Sequence, residues 1–409
     1  MTRTVAVLGA LDTKGAEYAY LCAQLRRGGV EPLLIDFGVV GEPAIQPHFS
    51  AADVAAAGGA DLAALRAAND RGAALGAMAR GAATVIRQLY QEGRIAGAIG
   101  MGGSGGSSVI AAGLQALPVG VPKLLLSTVA AGDTRPYAGT RDVTLMPSVV
   151  DIAGINRLSR RIIANAAGAL AGMLGADVQD ETTDRPLIAA SMFGNTTQCV
   201  DRARALLDAQ GYEVLVFHAT GTGGKTMESL IADGYFAGVL DITTTEWADE
   251  ICGGVLSAGP TRLDAAATHG VPQVVVPGCI DMANFGPRAS VPERYQDRLL
   301  YEWNPTVTLM RTTPDENVRM GEIFAEKLNQ ATGPVHVLIP LRGFSILDSP
   351  GDRFWDPEAD RAFIDALTAN LRSDVPVEHL DLNINDPAFA ERAVEVLLGM
   401  LRQGVNNEQ

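Results

Sequence analysis

The 409 residues carry 32 Lys and Arg against 47 Asp and Glu, a formal net charge of −15, and 47% of them are hydrophobic. That balance argues against a nucleic-acid or anionic-membrane partner, since both need a basic surface, and the length predicts more than one hydrophobic core. No apolar run approaches the ~18 residues of a membrane span, the N-terminus reads into a strand without a signal-peptide pattern, and Cys22, Cys199, Cys252 and Cys279 are too dispersed for a zinc knuckle or redox pair, so a soluble cytoplasmic protein with reduced thiols is expected.

In chain order, strand-like runs alternate with helix-length amphipathic segments, which predicts α/β architecture with mostly parallel sheets. The predicted strands are Val5–Leu8, Pro32–Ile35, Ile95–Ile99, Lys123–Leu126 and Val143–Leu145, then Leu187–Ser191, Val214–Phe217, Val239–Ile242, Val274–Val276, Val307–Met310, Val335–Ile339 and Val377–Leu380. An Ala-rich helical stretch occupies about Ala51–Glu92, and a long helix about Asn156–Leu174. The polar segment Gln179–Pro186 reads as a linker between residues 1–180 and 186–409. The halves open alike, as strand, polar loop, helix, Gly-x-Glu and strand, and each later carries Val-Thr-Leu-Met (143–146 and 307–310) before a long helix. The fold expected is two Rossmann-like doubly wound lobes related by duplication, with ligands at the carboxyl ends of the strands and in the cleft between lobes.

The richest loop is Gly100-Met-Gly-Gly-Ser-Gly-Gly-Ser-Ser108, between a strand and a helix. Its glycines allow backbone to approach a ligand closely, and successive amides at a helix start form an anion nest. Gly102, Gly103, Ser104, Gly105, Gly106 and Ser107 are therefore candidate phosphate binders. The same string fits G-x-S-x-G, which makes Ser104 an alternative hydrolase nucleophile, with His336 or His379 late enough to be its base. Gly9-Ala-Leu-Asp-Thr-Lys-Gly15 also joins a strand to a helix. Thr13 and Lys14 can meet phosphate there, and Asp12 can cap the helix or hold Mg²⁺. Asp36, ending the next strand, sits where such folds place an acid on a ribose hydroxyl. Thr128, Asp133 and Asp151 in the two following loops are further pocket candidates, and Asn156 a cap for the long helix.

In the second half, His218-Ala-Thr-Gly-Thr-Gly-Gly-Lys-Thr226 nearly spells a P-loop but has Ala219 where the first glycine belongs. Thr220, Gly221, Gly223, Gly224, Lys225 and Thr226 are candidates for a small anion, joined by Thr244 and Arg311 at later strand ends. Asp281 and Asn284 also follow a strand there. His218 and Glu246 are the acid–base candidates.

These strings together resemble the family formed by the ATP-binding domain of the tomato mosaic virus resistance protein and its bacterial relatives. The resembling segments are Leu11–Lys14, Gly102–Gly106, Ser127–Ala130, Pro147–Asn156, His218–Gly221, Asp241–Glu246 and Met310–Thr313. The resemblance implies two Rossmann-like subdomains, ATP in the first, and a homodimer. It also leads one to expect that the barrel following this region in the plant protein is absent, and it implies no settled reaction. The function expected is ATP binding, as an ATP-dependent phosphoryl-transfer or ligase-type enzyme acting on a small anionic metabolite, with Mg²⁺ left open. The alternatives are a non-enzymatic nucleotide sensor and a serine hydrolase using Ser104.

Overall fold

The computed structural model of the chain describes residues 3–176 and 185–407; Gln179–Asp184 of the predicted linker lie outside them. Two units emerge, Met1–Glu181 and Thr182–Gln409.

The first unit runs β1 (Arg3–Gly9), α1 (Gly15–Arg27), β2 (Val30–Asp36), α2 (Ala51–Ala57), α3 (Leu62–Ala68), α4 (Arg71–Gln91), β3 (Ala98–Gly102), α5 (Ser104–Gln115), β4 (Lys123–Ser127), α6 (Arg135–Ala138), β5 (Thr144–Pro147) and α7 (Arg157–Gly175). All its strands pair in parallel, in the order β2-β1-β3-β4-β5. Their near-continuous apolar runs are what a sheet covered on both faces requires. Val5, Val7 and Leu126 pack towards Leu21, Ile163 and Leu170 of α1 and α7. Ala6, Leu8 and Leu125 pack towards Met78, Ile86 and Ile110 of α4 and α5.

Local chemistry sets the helix boundaries. Asp70 caps α4 by accepting from Ala73 N, and Asn156 caps α7 by accepting from Leu158 N and Ser159 N at 2.9 Å each. The Ala-rich stretch is broken into three helices by Gly59 and Asn69 at positive φ and by the caps Asp61 and Asp70, and α2 then meets α4 backbone to backbone: a Cβ at Gly81 would lie 1.8 Å from the Val54 carbonyl oxygen.

The second unit runs β6 (Leu187–Met192), α8 (Thr197–Ala209), β7 (Glu213–His218), α9 (Thr222–Ala232), β8 (Gly238–Thr243), α10 (Glu246–Cys252), α11 (Asp264–Thr268), β9 (Gln273–Gly278), β10 (Met282–Phe285), β11 (Leu300–Asn304), β12 (Val307–Arg311), α12 (Pro314–Leu328), β13 (Val335–Pro340), α13 (Pro357–Asn370), β14 (Val377–Leu380) and α14 (Pro387–Asn407). Its main sheet is parallel, in the order β14-β13-β9-β8-β6-β7. Read from its first strand, this repeats the order of the first unit and adds one strand.

Two expectations need correction. The strand at Val307 does not take the place that the strand at Val143 takes. β5 is an edge of the first parallel sheet, whereas β12 is the centre of a separate antiparallel sheet, β10-β12-β11. The shared Val-Thr-Leu-Met string specifies an extended apolar segment and not its partners. The strand predicted at Ile95–Ile99 instead spans Ala98–Gly102, so Gly100 and Gly102 belong to the sheet. A Cβ at Gly100 would stand 2.6 Å from Ile110 and 2.9 Å from the Leu8 carbonyl oxygen, so the glycine is there for close strand and helix packing.

Candidate functional site

In the first sheet the connections leave β1 and β3 in opposite directions. Their carboxyl ends therefore form the topological switch point, where open α/β sheets bind ligands. The ladder between the two strands runs only from Ala6↔Ala98 to Leu8↔Gly100. Beyond it, the fully buried Tyr18 hydroxyl lies 2.6 Å from the carbonyl oxygens of both Leu8 and Met101 and accepts from Met101 N at 2.9 Å. Burial pushes this phenol far above its ordinary pKa, so it stays a neutral donor. A Cβ at Gly9 would lie 2.4 Å from the Tyr18 ring.

The glycine-rich turn follows β3 directly. Gly103 is the N-cap of α5 and offers no side chain to cap it. Ser107 N donates to Gly103 O, and the amides of Gly103, Ser104, Gly105 and Gly106 have no hydrogen-bond partner among the described residues. Four unpartnered N–H groups at the positive end of a helix make an anion cradle. Beneath it Ser107 Oγ and Ser127 Oγ are 2.6 Å apart, and Ser127 Oγ accepts from Val129 N. Thr128 is exposed beside the cradle, and its amide donates to Gly102 O.

Sequence reasoning missed Arg71. It opens α4, and its Nη2 would lie 3.1 Å from a Cβ built at Gly105. The side chain is exposed and makes no ion pair among the described residues. The Asp70 cap is legible in sequence and fixes Arg71 as the first helical residue, but its approach to a loop more than thirty residues later depends on how α4 packs against α5.

The β1–α1 loop is more structural than expected. The amides of Thr13 and Lys14 both donate to Ala10 O, and Lys14 Nζ donates to the Ile152 carbonyl. Thr13 itself is exposed. Asp36 is buried, and its Oδ1 accepts from Leu11 N at 3.0 Å and Gly38 N at 2.9 Å. That carboxylate ties two loops together where a ribose contact was expected; burial raises its pKa against the lowering effect of the two amides. Asp12 Oδ2 accepts from Val40 N and Gly41 N, while its buried Oδ1 has no partner among the described residues. Asp151 is exposed and accepts from its neighbour Ile152 N. Asp133 pairs with Arg135, whose guanidinium lowers its pKa to about 2. Strain gathers in the loop after β5: Val149 has φ 63°, a left-handed conformation rare for a β-branched residue, closed by Val150 N donating to Ser148 O.

The second unit overturns the expected anion loop. Its near-P-loop turn does cradle an anion, and that anion is the chain's own Glu246. One carboxylate oxygen accepts from Gly221 N at 2.7 Å and Gly224 N at 3.1 Å, and the other accepts from Arg262 Nε at 2.7 Å. A Cβ at Gly224 would lie 2.1 Å from Glu246 Oε2. Arg262, itself 1% exposed, also forks onto Asp241 and reaches Glu228 at 3.2 Å. Glu246 is thus a buried structural anion rather than an acid–base group facing solvent. Gly223 packs on the His218 carbonyl, and the Thr220 and Thr226 hydroxyls donate to the carbonyls of His218 and Thr222. Lys225 is exposed, as is His218, whose ring lies 5.5 Å from that of Phe193. The Thr244 hydroxyl is buried on the Val276 carbonyl.

Arg311 is likewise committed inside the unit: Nε donates to Phe354 O and Nη2 to Asp360 Oδ1, both at 2.7 Å. Asp281 and Asp348 complete this cluster. Burial pushes Asp281 up to about 7 and Asp360 up to about 9. Asn284 sits on a second buried carboxyl, donating through Nδ2 to Asp249 at 2.7 Å; burial raises Asp249 to about 7. Among the described residues no group of three or more His, Cys, Asp or Glu side chains is placed to hold a metal ion, and no helix is long and apolar enough to cross a membrane.

Two doubly wound parallel-sheet units, one with an open amide cradle at its switch point and one with its cradle filled, define the class. The chain belongs to the uncharacterised protein family UPF0261: the family's N-terminal domain matches residues 3–179 and its C-terminal domain residues 185–401. It is 47% identical over 404 residues to a UPF0261 protein of Clostridium tetani, covering 98% of this chain and 100% of that one. A UPF0261 protein of Rhizobium meliloti is 46% identical over 394 residues, 96% of this chain and 98% of the other. The ToMV resistance protein Tm-1 of Solanum lycopersicum is 43% identical over 338 residues, which are 81% of this chain and 45% of the tomato protein.

Proposed function

We propose that the first unit binds a nucleoside polyphosphate, ATP being the reading the family resemblance favours, at the carboxyl ends of β1 and β3. The observation that carries this reading is the uncapped start of α5, where four amides without partners lie beside Arg71. A phosphate there would satisfy all four donors and pair with the guanidinium. Thr128 flanks the cradle, its Oγ1 3.8 Å from a Cβ built at Gly103, and Asp12 Oδ1, without a partner among the described residues, is an oxygen that a phosphate-bound Mg²⁺ can use. The second unit offers no comparable open cradle at its near-P-loop turn, so the proposal is confined to nucleotide binding, with phosphoryl transfer or ligation as the activity to assay once a nucleotide is bound.

The turn at Ser104 does not favour the serine-hydrolase alternative. A nucleophile elbow needs a strained turn at the serine, and Ser104 is absent from the positive-φ residues.

Calorimetric titration with ATP, with and without Mg²⁺, tests the proposal. Arg71→Ala should weaken binding by about tenfold or more, as for a lost charge-assisted contact. Gly105→Val should abolish it in a folded chain, because a Cβ there meets only the movable ends of Arg71 and Leu75. Absence of ATP binding by the native protein would refute the reading.

A further inference from the structure

At the opposite, amino-terminal edge of the second unit's sheet, a cavity of about 660 Å³ opens under the last turns of α14, against the starts of β13 and β14. Its volume falls within the ~300–1,000 Å³ typical of small-molecule sites. The space exists because α14 presents Gly399 to it. A Cβ at Gly399 would meet no atom within 4 Å, so packing does not demand this glycine, and glycine inside a helix lowers its stability relative to alanine. An adjoining hollow of about 260 Å³ shares Arg402 and is lined by Leu206, Val394 and Leu398.

The cavity is lined by the exposed Arg402 and Gln403 at its mouth and by Arg372 and His336 deeper in. Arg402 makes no ion pair among the described residues. Arg372 donates through Nη1 to the carbonyls of Asn329 and Ala331, and its Nε lies 3.0 Å from Asp374 Oδ1, so among the described residues only Nη2 is left open. His336 Nε2 is buried without a hydrogen bond, 3.5 Å from Glu378. The carboxylates are either paired or in water: Glu378 accepts from Arg392 through both oxygens, and the side chains of Asp374 and Glu395 are 70% and 71% exposed. The lining is more polar than apolar, with three arginines beside Val375, Val396 and Met400, which suits an acceptor-rich head on a small apolar body.

We propose that this cavity binds a small organic acid, its oxyanion head on Arg402 and Arg372 and its apolar body against Val375, Val396 and Met400. The site is in a different unit from the proposed nucleotide site and does not depend on that reading.

The test is ligand-observed NMR and calorimetry on the full chain with benzoate, 4-phenylbutyrate and phenyl phosphate, beside benzyl alcohol and inorganic phosphate. At least one organic acid should bind saturably, and benzyl alcohol and inorganic phosphate at least about tenfold more weakly. Gly399→Leu, which fills the cavity without removing a charge, should abolish binding with an unchanged or raised melting temperature. Arg402→Ala should weaken binding about tenfold. The proposal is overturned if none of the three acids binds, if either control binds as well as they do, or if binding survives unchanged in folded Gly399→Leu or in Arg402→Ala.

Discussion

Replacing Glu246 with alanine should expose how the second unit satisfies its glycine turn. The carboxylate is fully buried and accepts from two amides and from Arg262 Nε. Each buried donor left unpaired costs about 1–3 kcal/mol, so three give roughly 3–9 kcal/mol. Part of that is offset, because Asp241 and Glu228 remain to neutralise Arg262 and one buried carboxylate less repels them. A net loss of about 3–4 kcal/mol follows, in the range for a broken buried pair. Glu246→Gln should lose less, about 2 kcal/mol, since its amide oxygen still accepts from Gly221 and Gly224 while its NH₂ faces Arg262. Urea unfolding monitored by the second unit's tryptophans gives the values. Formate at tens of millimolar should restore part of the stability of the alanine variant, and none to the native protein, by occupying the vacated cradle. An alanine variant within about 1 kcal/mol of native, or one indifferent to formate, would refute the argument that the turn needs an anion and that Glu246 supplies it.

Further outcomes follow from the buried groups. Asp249 and Asp281 are raised by burial to about 7 and Asp360 to about 9, above the unfolded value of ~3.9. Their contribution is therefore fully present below the unfolded pKa and is lost as pH rises through the folded one. The urea midpoint of the second unit should fall between about pH 5 and pH 9, and Asp249→Asn should flatten the part below about pH 7; a midpoint that rises across this window would contradict the assignment. Tyr18→Phe should cost the first unit about 1–3 kcal/mol and weaken ATP binding, measured by melting and calorimetry, because the hydroxyl bridges the strands that carry the cradle. Gly81→Ala should destabilise the same unit by about 2 kcal/mol or more, since its Cβ would collide with a backbone carbonyl; a neutral melt would mean that α2 and α4 can separate at little cost.

What was legible in the sequence is what short-range chemistry decides. The strand over Val274–Val276 and the helix capped by Asn156 follow from an apolar run and one side-chain acceptor, and the strand–helix alternation dictates two parallel sheets. Pairing partners were not legible. Val-Thr-Leu-Met reads the same in β5 and β12, yet one lies in a parallel sheet and the other in an antiparallel one, joined by β10 and β11, which carry no strong strand signal of their own. The glycine turn at 221–224 was recognisable as an anion cradle, but its occupant is Glu246, more than twenty residues on, held there by two amides and Arg262 that only the packed fold brings together. Arg71 was invisible for the mirrored reason: only the packing of α4 brings it to Gly105.

The filled cradle has a consequence for how the two units respond to their surroundings. An internal carboxylate is present at fixed, saturating effective concentration, so the second unit's turn is stable whatever the metabolite pool contains. The first unit's cradle depends on free ligand, and on the nucleotide reading its stability would follow RT ln(1 + [L]/Kd). A cell depleted of that ligand would then hold a chain with one half at full stability and the other loosened. Limited proteolysis across a ligand titration should show it as protection that grows in residues 3–176 and stays flat in residues 185–407.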